Sequence, residues 1–462
     1  MPFTSLTSLR TAHRKLLERR GEDGETDEYL IEIGHFIQRG TLTGALLDAR
    51  SDRWQAQNLL DYWANELYHA RHDAPDTTLV DYNPASAPVL NEDLCPYIGL
   101  RTFGPNKHSF FFGRNLLIDS MVEKLKYNRF LAIAGPSGSG KSSIALAGLI
   151  PQLQKGALHG SRQWRYFTAM VPGADPQANL ARIIDPKRAT DVAWVQQMAE
   201  RSQHDPTYLA NLIDSTDEQP AVIVVDQFEE IFTFCLDNEK RRAFINTLLE
   251  LIQIPNKRHT VIITMRTDLE SNMVQWPSLL AFYEQAQVRM TAMKASELRE
   301  AIEKPAELVG LKFEENLVDE MIREILGKPE ALPLLQFTLL KLWENRDHNR
   351  ITIEAYRRLG GGRQTLANTA DAFYEALSPE DKVSVRRIFL RIVRPSVEME
   401  ITRDRVLRSM LYEIGLARDW VDRIVDQLIE GGLLRLIDGT TPADDMVGLA
   451  HESLVRIWPR LA

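Results

Sequence analysis

The spacing of apolar positions changes several times along the 462 residues of the chain. Over residues 1–70 apolar side chains recur at helical spacing, for example Leu30, Ile33 and Ile37, and later Leu59, Leu60, Trp63, Ala64 and Leu67. This periodicity predicts a small helical domain, and nothing in it resembles a catalytic pattern. Residues 71–95 are rich in Pro, Asp, Asn, Ser and Thr, so we expect an extended linker there.

Between residues 96 and 295, short apolar segments alternate with helical patterns. The five segments predicted to be strands are 130–134, 164–170, 221–225, 260–265 and 287–291. Such alternation is typical of a parallel sheet flanked by helices. The segment 164–170 lies between the first strand and the one that ends before Asp226, so those two strands are not consecutive in the chain.

The rest of the chain is predicted to be mostly helical. Residues 296–378 have helical periodicity, with Pro305 and Pro333 placed as helix starts and a break at residues 360–362, which predicts a helical lid. From 379 to 462, helices precede a hairpin-like pair, LLRLID and MVGLAH, joined by a loop over residues 439–445. Helices followed by a two-stranded wing predict a winged-helix domain.

Composition and charge exclude several classes of protein. A chain with 44% hydrophobic and 26% charged residues is neither disordered nor fibrous, and its length suits three or four domains. A net charge of -9 argues against a surface built throughout to hold nucleic acid. The two distant cysteines, Cys95 and Cys235, suit a reducing compartment. Because no signal peptide or membrane-spanning run is found, we expect a cytoplasmic protein.

The segment FLAIAGPSGSGKSS, residues 130–143, fits the P-loop pattern G-x-x-x-x-G-K-[ST]. Gly138 and Gly140 let the backbone curl so that successive N–H groups face phosphate oxygens, while Lys141 adds a mobile positive charge. The Ser142 hydroxyl is suited to bind Mg²⁺. The sequence therefore predicts binding of a nucleoside triphosphate with Mg²⁺, through Pro136, Ser137, Gly138, Ser139, Gly140, Lys141, Ser142 and Ser143.

The predicted fold class is a multidomain α/β protein. A small all-α domain (1–70) and a linker (71–95) precede an AAA+-like P-loop domain with a parallel sheet (96–295), a helical lid (296–378) and a winged-helix domain (379–462). The strand order along the chain is the one found in P-loop ATPases that carry their own catalytic glutamate.

The segment AVIVVDQFEEIF places Asp226 at the carboxyl end of a buried strand. Beside a P-loop, such an aspartate holds Mg²⁺ through water, and a nearby glutamate orients the attacking water. An aspartate that merely caps the next helix is the alternative. Spacing does not decide between Glu229 and Glu230, so both are predicted to position the water.

A second strand, in VIITMRTD, ends at Arg266. From this edge of the sheet an arginine would face the γ-phosphate and sense its presence. On its own, such an arginine is more often the structural partner of an acidic residue. Together with the two motifs above, the sensor role is the better hypothesis.

Several segments together resemble the STAND class of signalling NTPases, which are relatives of AAA+ proteins. They are FFGR (111–114), VVDQFEE, TMR and LPLLQ (332–336). The bacterial novel STAND group is similar in its starting pattern PYxGLRxF, matched here by Pro96, Tyr97, Gly99, Leu100, Arg101 and Phe103, and in the closing AHESLVRIWPRL. The resemblance covers residues 95–462 and leaves out roughly the first 90. Family members usually continue into a long sensor, so we expect sensing to fall to a removed segment, another part of the chain or another protein.

The resemblance also implies roles for individual residues. Phe112, Gly113 and Arg114 would line the adenine and ribose side, and Pro333 would press on the adenine from the lid. His451 would reach the β-phosphate of bound ADP from the winged helix. Each has a structural alternative, since Gly113 suits any turn, Pro333 suits a helix start and a lone histidine is more often a core residue.

These features favour an ATP- and ADP-dependent switch that hydrolyses ATP slowly and oligomerises when activated by an unknown trigger. The helical domain would recruit a separate effector, and the resemblance suggests bacterial defence or cell-death signalling. A DNA-binding AAA+ ATPase is the alternative. The segment DWVDRIVDQLIE argues against DNA binding, because it contains four acidic residues and only one basic residue, Arg423, and such a surface would repel phosphates. A P-loop kinase would leave the outer domains unexplained.

Overall fold

The computed structural model describes residues 2–3, 5–23, 26–83, 88–255, 257–328, 332–394, 402–403, 406–415, 417–437, 445–450 and 453–461. The chain forms two compact units. Unit 1 comprises residues 1–94 with the short segments 309–312 and 346–350, and unit 2 comprises 95–308, 313–345 and 351–462. The five-part division of the sequence remains a prediction.

Unit 1 contains three long helices, α1 (Leu6–Asp23), α2 (Asp27–Thr43) and α3 (Arg50–His69). Their apolar faces meet around Trp63, which is fully buried together with Ile37 and Leu60. The Trp63 indole N–H also donates to His13 Nδ1 at 3.0 Å. The helical region predicted at the amino terminus is confirmed.

The segment predicted to be a linker is bound to these helices along part of its length. The Arg53 guanidinium donates to the carbonyl oxygens of Gly44, at 2.7 Å, and of Val80, at 3.1 Å. The Val80 N–H donates to Thr41 O at 3.1 Å, and Leu79 is buried in the helical core. An extended segment leaves its backbone groups available for such bonds, so this part of it is no free spacer.

Asp48 links the helices of unit 1 to its two short segments. Its carboxylate lies 3.0 Å from the Lys312 ammonium and also pairs with the Arg350 guanidinium. Arg346 likewise pairs with Glu92 at 2.9 Å. Burial lowers the pKa of Lys312 and of Arg350, because both cations lose part of their hydration.

Unit 2 is built on a five-stranded sheet whose neighbouring strands pair in parallel, as predicted. Its strands are β1 (Phe130–Gly135), β2 (Arg165–Tyr166), β3 (Ala221–Val225), β4 (Thr260–Arg266) and β5 (Gln287–Arg289), in the order β2-β3-β4-β1-β5. The strand predicted at 164–170 is wrong in length, because only two residues form the ladder and Met170 makes one isolated bridge to Val225. The prediction for 287–291 is too long by two residues.

Alternate residues of the central strands fill two separate cores, one on each face of the sheet. Ala132 and Ile263 belong to one core, and Ile133 and Ile262 to the other. The helices around the sheet are α4 (Asn115–Tyr127), α5 (Lys141–Ser143), α6 (Ile150–Gln154), α7 (Pro176–Ile184), α8 (Val192–His204), α9 (Thr207–Thr216), α10 (Glu230–Thr233), α11 (Asn238–Gln253) and α12 (Pro277–Gln285). A π-helical stretch, Ile144–Leu149, joins α5 to α6.

The predicted lid region contains α13 (Ala295–Val309), β6 (Lys312–Phe313), α14 (Leu317–Ile325), α15 (Leu332–Glu344), β7 (Arg350–Ile351), α16 (Ile353–Leu359) and α17 (Gly361–Ala376). The prediction of a helix start at Pro305 is wrong, since this residue lies buried inside α13. Proline has no N–H to donate, so the helix continues past it with one hydrogen bond fewer. Gly360, with φ of 95°, ends α16 as the predicted break requires.

The carboxyl-terminal part contains α18 (Pro379–Ile392), β8 (Val393–Arg394), β9 (Thr402–Arg403), β10 (Val406–Leu407), α19 (Arg408–Leu411), α20 (Arg418–Glu430), β11 (Leu434–Ile437), β12 (Met446–Leu449) and α21 (Ser453–Ile457). The predicted hairpin is confirmed, because β11 and β12 pair antiparallel, and β10 joins them on the other side of β12. The winged-helix classification remains a prediction. Helix α20 begins at Arg418, so it carries two arginines where the sequence segment had one.

Among the described residues, none of the helices has the length and apolar character that crossing a membrane requires.

Candidate functional site

The turn after β1 has the backbone geometry of a phosphate cradle. Gly138 and Gly140 have φ of 74° and 90°, in the left-handed region that side chains disfavour. The Ser139 hydroxyl donates to Pro136 O at 2.8 Å and closes the turn. Helix α5 begins at Lys141, so its N-terminal N–H groups face the same space.

Lys141 lies against the turn that it follows. Its ammonium donates to the carbonyl oxygens of Gly135 and Pro136, both at 2.9 Å. Burial lowers the pKa of Lys141, and the nearby Glu229 carboxylate opposes this shift. A buried cation held by two neutral carbonyls is well suited to accept an anionic partner.

Ser142 and Asp226 meet at the carboxyl edge of the sheet. The Ser142 hydroxyl donates to Asp226 Oδ1 at 2.7 Å. The same carboxylate oxygen accepts a 2.6 Å bond from the Thr264 hydroxyl on β4, the strand that lies between β1 and β3. A hydroxyl and a carboxylate in contact are the oxygen ligands that Mg²⁺ uses beside nucleotide phosphates.

Glu229 and Glu230 follow β3 through a turn in which Gln227 has φ of 53°. Both glutamates are buried, with 7% and 3% of their surface exposed. Glu229 Oε2 accepts a hydrogen bond from the backbone N–H of Arg266 at 3.3 Å. Burial raises the pKa of Glu229, and the charge of Lys141 opposes the rise. A carboxylate with a raised pKa at this edge is suited to hold or accept a proton.

The Arg266 guanidinium makes two bonds to the Asp268 carboxylate. They join Nε to Oδ1 at 3.1 Å and Nη2 to Oδ2 at 2.6 Å. The hydrogen bonds from Arg266 are the main cause that lowers the pKa of Asp268. Arg266 thus has an acidic partner, as expected if its role is structural. It also lines the cavity described next.

The predicted binding residues surround a cavity of about 550 Å³ within unit 2. This volume is within the range of about 300–1,000 Å³ that is usual for small-molecule sites. The predicted residues that line it are Phe112, Arg114, Pro136, Ser137, Gly138, Ser139, Gly140, Lys141, Ser142, Ser143, Glu229, Glu230, Arg266 and Pro333. Arg435 of β11 and Ala450 also line it. His451 lies outside the described residues.

Two polar side chains on the cavity wall have buried atoms without a hydrogen-bond partner among the described residues. Arg114 is 4% exposed, and its Nη1 donates to Thr291 O at 2.9 Å, whereas its Nη2 has no partner. Gln336 Oε1 is the second such atom. Unmet hydrogen-bonding capacity, a glycine cradle, a cation and a hydroxyl–carboxylate pair together fit a Mg²⁺-bound nucleoside triphosphate.

Gly113 is not among the lining residues, but the turn before Arg114 requires it. Its φ is 82°, and a Cβ at this position would collide with the carbonyl oxygen of Glu297. Only glycine therefore lets this turn approach α13 and direct Arg114 to the cavity.

Residues 96–462 match the family described as Novel STAND NTPase 1. The chain belongs to this family. The resemblance noted from the sequence motifs is thereby confirmed, and nucleotide binding and NTP hydrolysis are the activities of the class.

Three solved structures are similar to this novel STAND NTPase. The Orc1 protein of Aeropyrum pernix in complex with DNA has 14% sequence identity and a TM-score of 0.43, and the match covers 74% of this chain and 91% of that chain. The Walker-type ATPase PABY2304 of Pyrococcus abyssi has 14% identity and a TM-score of 0.39, with 78% of this chain and 98% of that chain covered. The RuvB Holliday junction branch migration motor of Thermotoga maritima has 15% identity and a TM-score of 0.36, with 77% of this chain and 97% of that chain covered. At these levels of similarity they carry no information on partners. No curated protein matches the sequence.

In this novel STAND NTPase, sequence reasoning missed three residues of the site. Asp268 and Thr264 flank Arg266 in the segment ITMRTD, where a threonine and an aspartate are too common to signal a role. Gln336 ends the LPLLQ segment, and only its orphaned amide draws attention to it. The starting pattern PYxGLRxF does carry a signal, since the Phe103 N–H donates to Ser143 Oγ at 3.2 Å.

Proposed function

We propose that the chain is an ATP- and ADP-dependent signalling switch that hydrolyses ATP slowly and assembles with other copies in its ATP-bound form. One observation carries the proposal. A single cavity is lined by the P-loop, by Pro333 of the lid helix α15 and by Arg435 and Ala450 of the carboxyl-terminal part. A nucleotide in this cavity would contact all three, so its phosphates could change how they pack.

The phosphates would lie against the N–H groups of the turn from Gly138 to Ser142. Lys141 would exchange its two carbonyl partners for phosphate oxygens, a stronger, charge-assisted bond. Ser142 and Asp226 would hold Mg²⁺. A bound Mg²⁺ ion would neutralise part of the charge of the phosphates. Either Glu229 or Glu230 would orient the attacking water.

Arg266 would act as the sensor of the γ-phosphate. In the structure its guanidinium is bound to Asp268, so sensing requires an exchange of one anionic partner for another. Such an exchange gives the protein two discrete arrangements, one with Arg266 on Asp268 and one with Arg266 on phosphate.

The nucleobase would lie between Phe112 and Pro333. Arg114 Nη2 and Gln336 Oε1 offer an unused donor and an unused acceptor on this wall. The preceding Gly113 turn keeps Arg114 in place. We assign adenine as the base on the strength of the family resemblance.

His451 would contact the β-phosphate of ADP and stabilise a closed state. Its neighbour Ala450 lines the cavity, which supports this assignment. Triggering would favour an open state, exchange of ADP for ATP and assembly. The helical domain would recruit a separate effector in the cytoplasm, and a role in bacterial defence or cell death rests on the family resemblance alone.

Light scattering on the purified chain tests the proposal. With ADP we expect monomers, and with ATP we expect larger assemblies of the Glu229→Gln/Glu230→Gln variant, which retains the γ-phosphate. Lys141→Ala should remain monomeric under both conditions. If the double variant binds ATP but keeps the mass that it has with ADP, the switch proposal is wrong.

A further inference from the structure

Thr264 takes part in three hydrogen bonds at the carboxyl edge of the sheet. It is fully buried on β4, opposite Ile133 of β1 and one residue after the partner of Val225. Its hydroxyl donates to Asp226 Oδ1 at 2.6 Å and accepts from the Gln227 N–H at 2.8 Å. Its carbonyl oxygen accepts from the Phe228 N–H at 2.9 Å.

The donor and acceptor roles of this hydroxyl follow from its chemistry. A backbone N–H only donates, so the Thr264 oxygen must accept from Gln227. The single hydroxyl hydrogen is then directed to Asp226. Both the Ser142 and the Thr264 hydroxyls bind the same carboxylate oxygen, which leaves one defined orientation for the Asp226 side chain.

The same bonds also shape the turn after β3. Gln227 has φ of 53°, a conformation that residues with side chains disfavour. Two bonds from consecutive N–H groups to Thr264 hold this turn, and Glu229 and Glu230 follow directly. Thr264 therefore contacts the backbone of the two residues that directly precede Glu229 and Glu230.

We propose that Thr264 is a positioning residue of the Mg²⁺–nucleotide site, which orients the Asp226 carboxylate and fixes the turn that presents the glutamates. This inference rests on the proposed nucleotide function. Without the threonine hydroxyl, the terminal torsion of Asp226 has a broad minimum. Of the two described hydroxyls that donate to its carboxylate, that of Ser142 would then remain. Hydrogen bonds of this kind to metal ligands commonly determine metal affinity.

Thr260 provides a matched control on the same strand. It is equally buried, at 1% exposure, and its hydroxyl donates to Arg258 O at 3.3 Å, away from Asp226. Thr264→Val and Thr260→Val each remove one buried hydroxyl while they keep the branched shape. Thr264→Ser restores the hydroxyl without the methyl group, and Thr264→Ala removes it with a smaller side chain.

The test compares ADP affinity in excess Mg²⁺ with ADP affinity in EDTA, together with the Mg²⁺ midpoint of the binding curve. In Thr264→Val and Thr264→Ala we expect the affinity in Mg²⁺ to fall by about tenfold or more, with the EDTA value changed far less. Thr264→Ser should recover most of the ratio, and Thr260→Val should keep it. A variant that only lowers the melting temperature should leave the ratio of ADP affinity in Mg²⁺ to that in EDTA unchanged. This ratio therefore distinguishes a positioning role from a merely structural one.

A ratio equal to wild type in both the Val and Ala variants would overturn the positioning role and leave the nucleotide function intact. A wild-type chain that binds no nucleotide, or binds it equally with and without Mg²⁺, would instead overturn the Mg²⁺–nucleotide site itself. The two failures are thus distinguishable in one series.

Discussion

The Ser142 hydroxyl donates to the Asp226 carboxylate at 2.7 Å, although 84 positions separate the two residues in the chain. The bond joins the start of α5 to the end of β3 across the intervening strand β4. Parallel strands place their carboxyl ends at one edge, where ligands of open α/β sheets bind. The relationship therefore links the P-loop and the acidic strand end in one candidate site.

The two buried glutamates allow the first prediction. Replacing Glu229 and Glu230 together by Gln should preserve nucleotide binding and slow hydrolysis by about 100-fold or more, since no carboxylate is left to orient water. Single-turnover hydrolysis of the double and the two single variants measures this and identifies the residue responsible. Turnover at the wild-type rate in the double variant would refute the assignment.

The pH dependence of hydrolysis is the second prediction. Burial raises the pKa of Glu229 above its ordinary value of 4.5, so this carboxyl remains protonated up to a higher pH than an exposed glutamate. If Glu229 orients the water, the rate should fall as pH is lowered through the raised pKa and recover above it. In Glu229→Gln this limb of the profile should vanish. An unchanged acid limb in that variant would assign it to another group.

The third prediction concerns His451. If its imidazole binds the β-phosphate only in the closed state, His451→Ala should lower ADP affinity more than ATP affinity and speed nucleotide exchange. A core histidine would cost thermal stability with both nucleotides alike. The ratio of ADP to ATP dissociation constants distinguishes the two, and a ratio that matches wild type would exclude the switch role.

The fourth prediction concerns the stability of unit 1. Asp48→Asn removes the carboxylate that faces both Lys312 and Arg350. Because these cations are partly buried, we expect the free energy of unfolding to fall by about 1–2 kcal/mol. Denaturant titration measures the change. Asp73→Asn is the control, since Asp73 is an exposed aspartate of the same unit. Equal stability of Asp48→Asn and wild type would show that the cluster contributes nothing.

Short local patterns predicted the cradle, the strand edge and the sheet well. The P-loop motif is a short pattern that includes Gly140 and Lys141, and Asp226 and Arg266 stand at the ends of apolar segments that read as strands. Contacts between distant segments were not predictable in this way. Thr264 contacts Asp226 only because β4 lies between β1 and β3. Asp48 likewise meets Lys312 only through the folded chain, since 264 positions separate the two residues.

The Pro305 prediction was wrong because proline favours a helix start without requiring one. The length of β2 depended on its neighbours, since a strand at the edge of the sheet ends where β3 no longer pairs with it.

Isothermal titration of nucleotide into the wild-type chain and into Lys141→Ala tests the central claim most directly. The account predicts that wild type binds ATP and ADP in the presence of Mg²⁺, and that the variant loses about 100-fold or more in affinity, because the phosphates lose a charge-assisted bond to a buried cation. Equal affinity of the two proteins for ATP would contradict the assignment of the P-loop cavity as the nucleotide site.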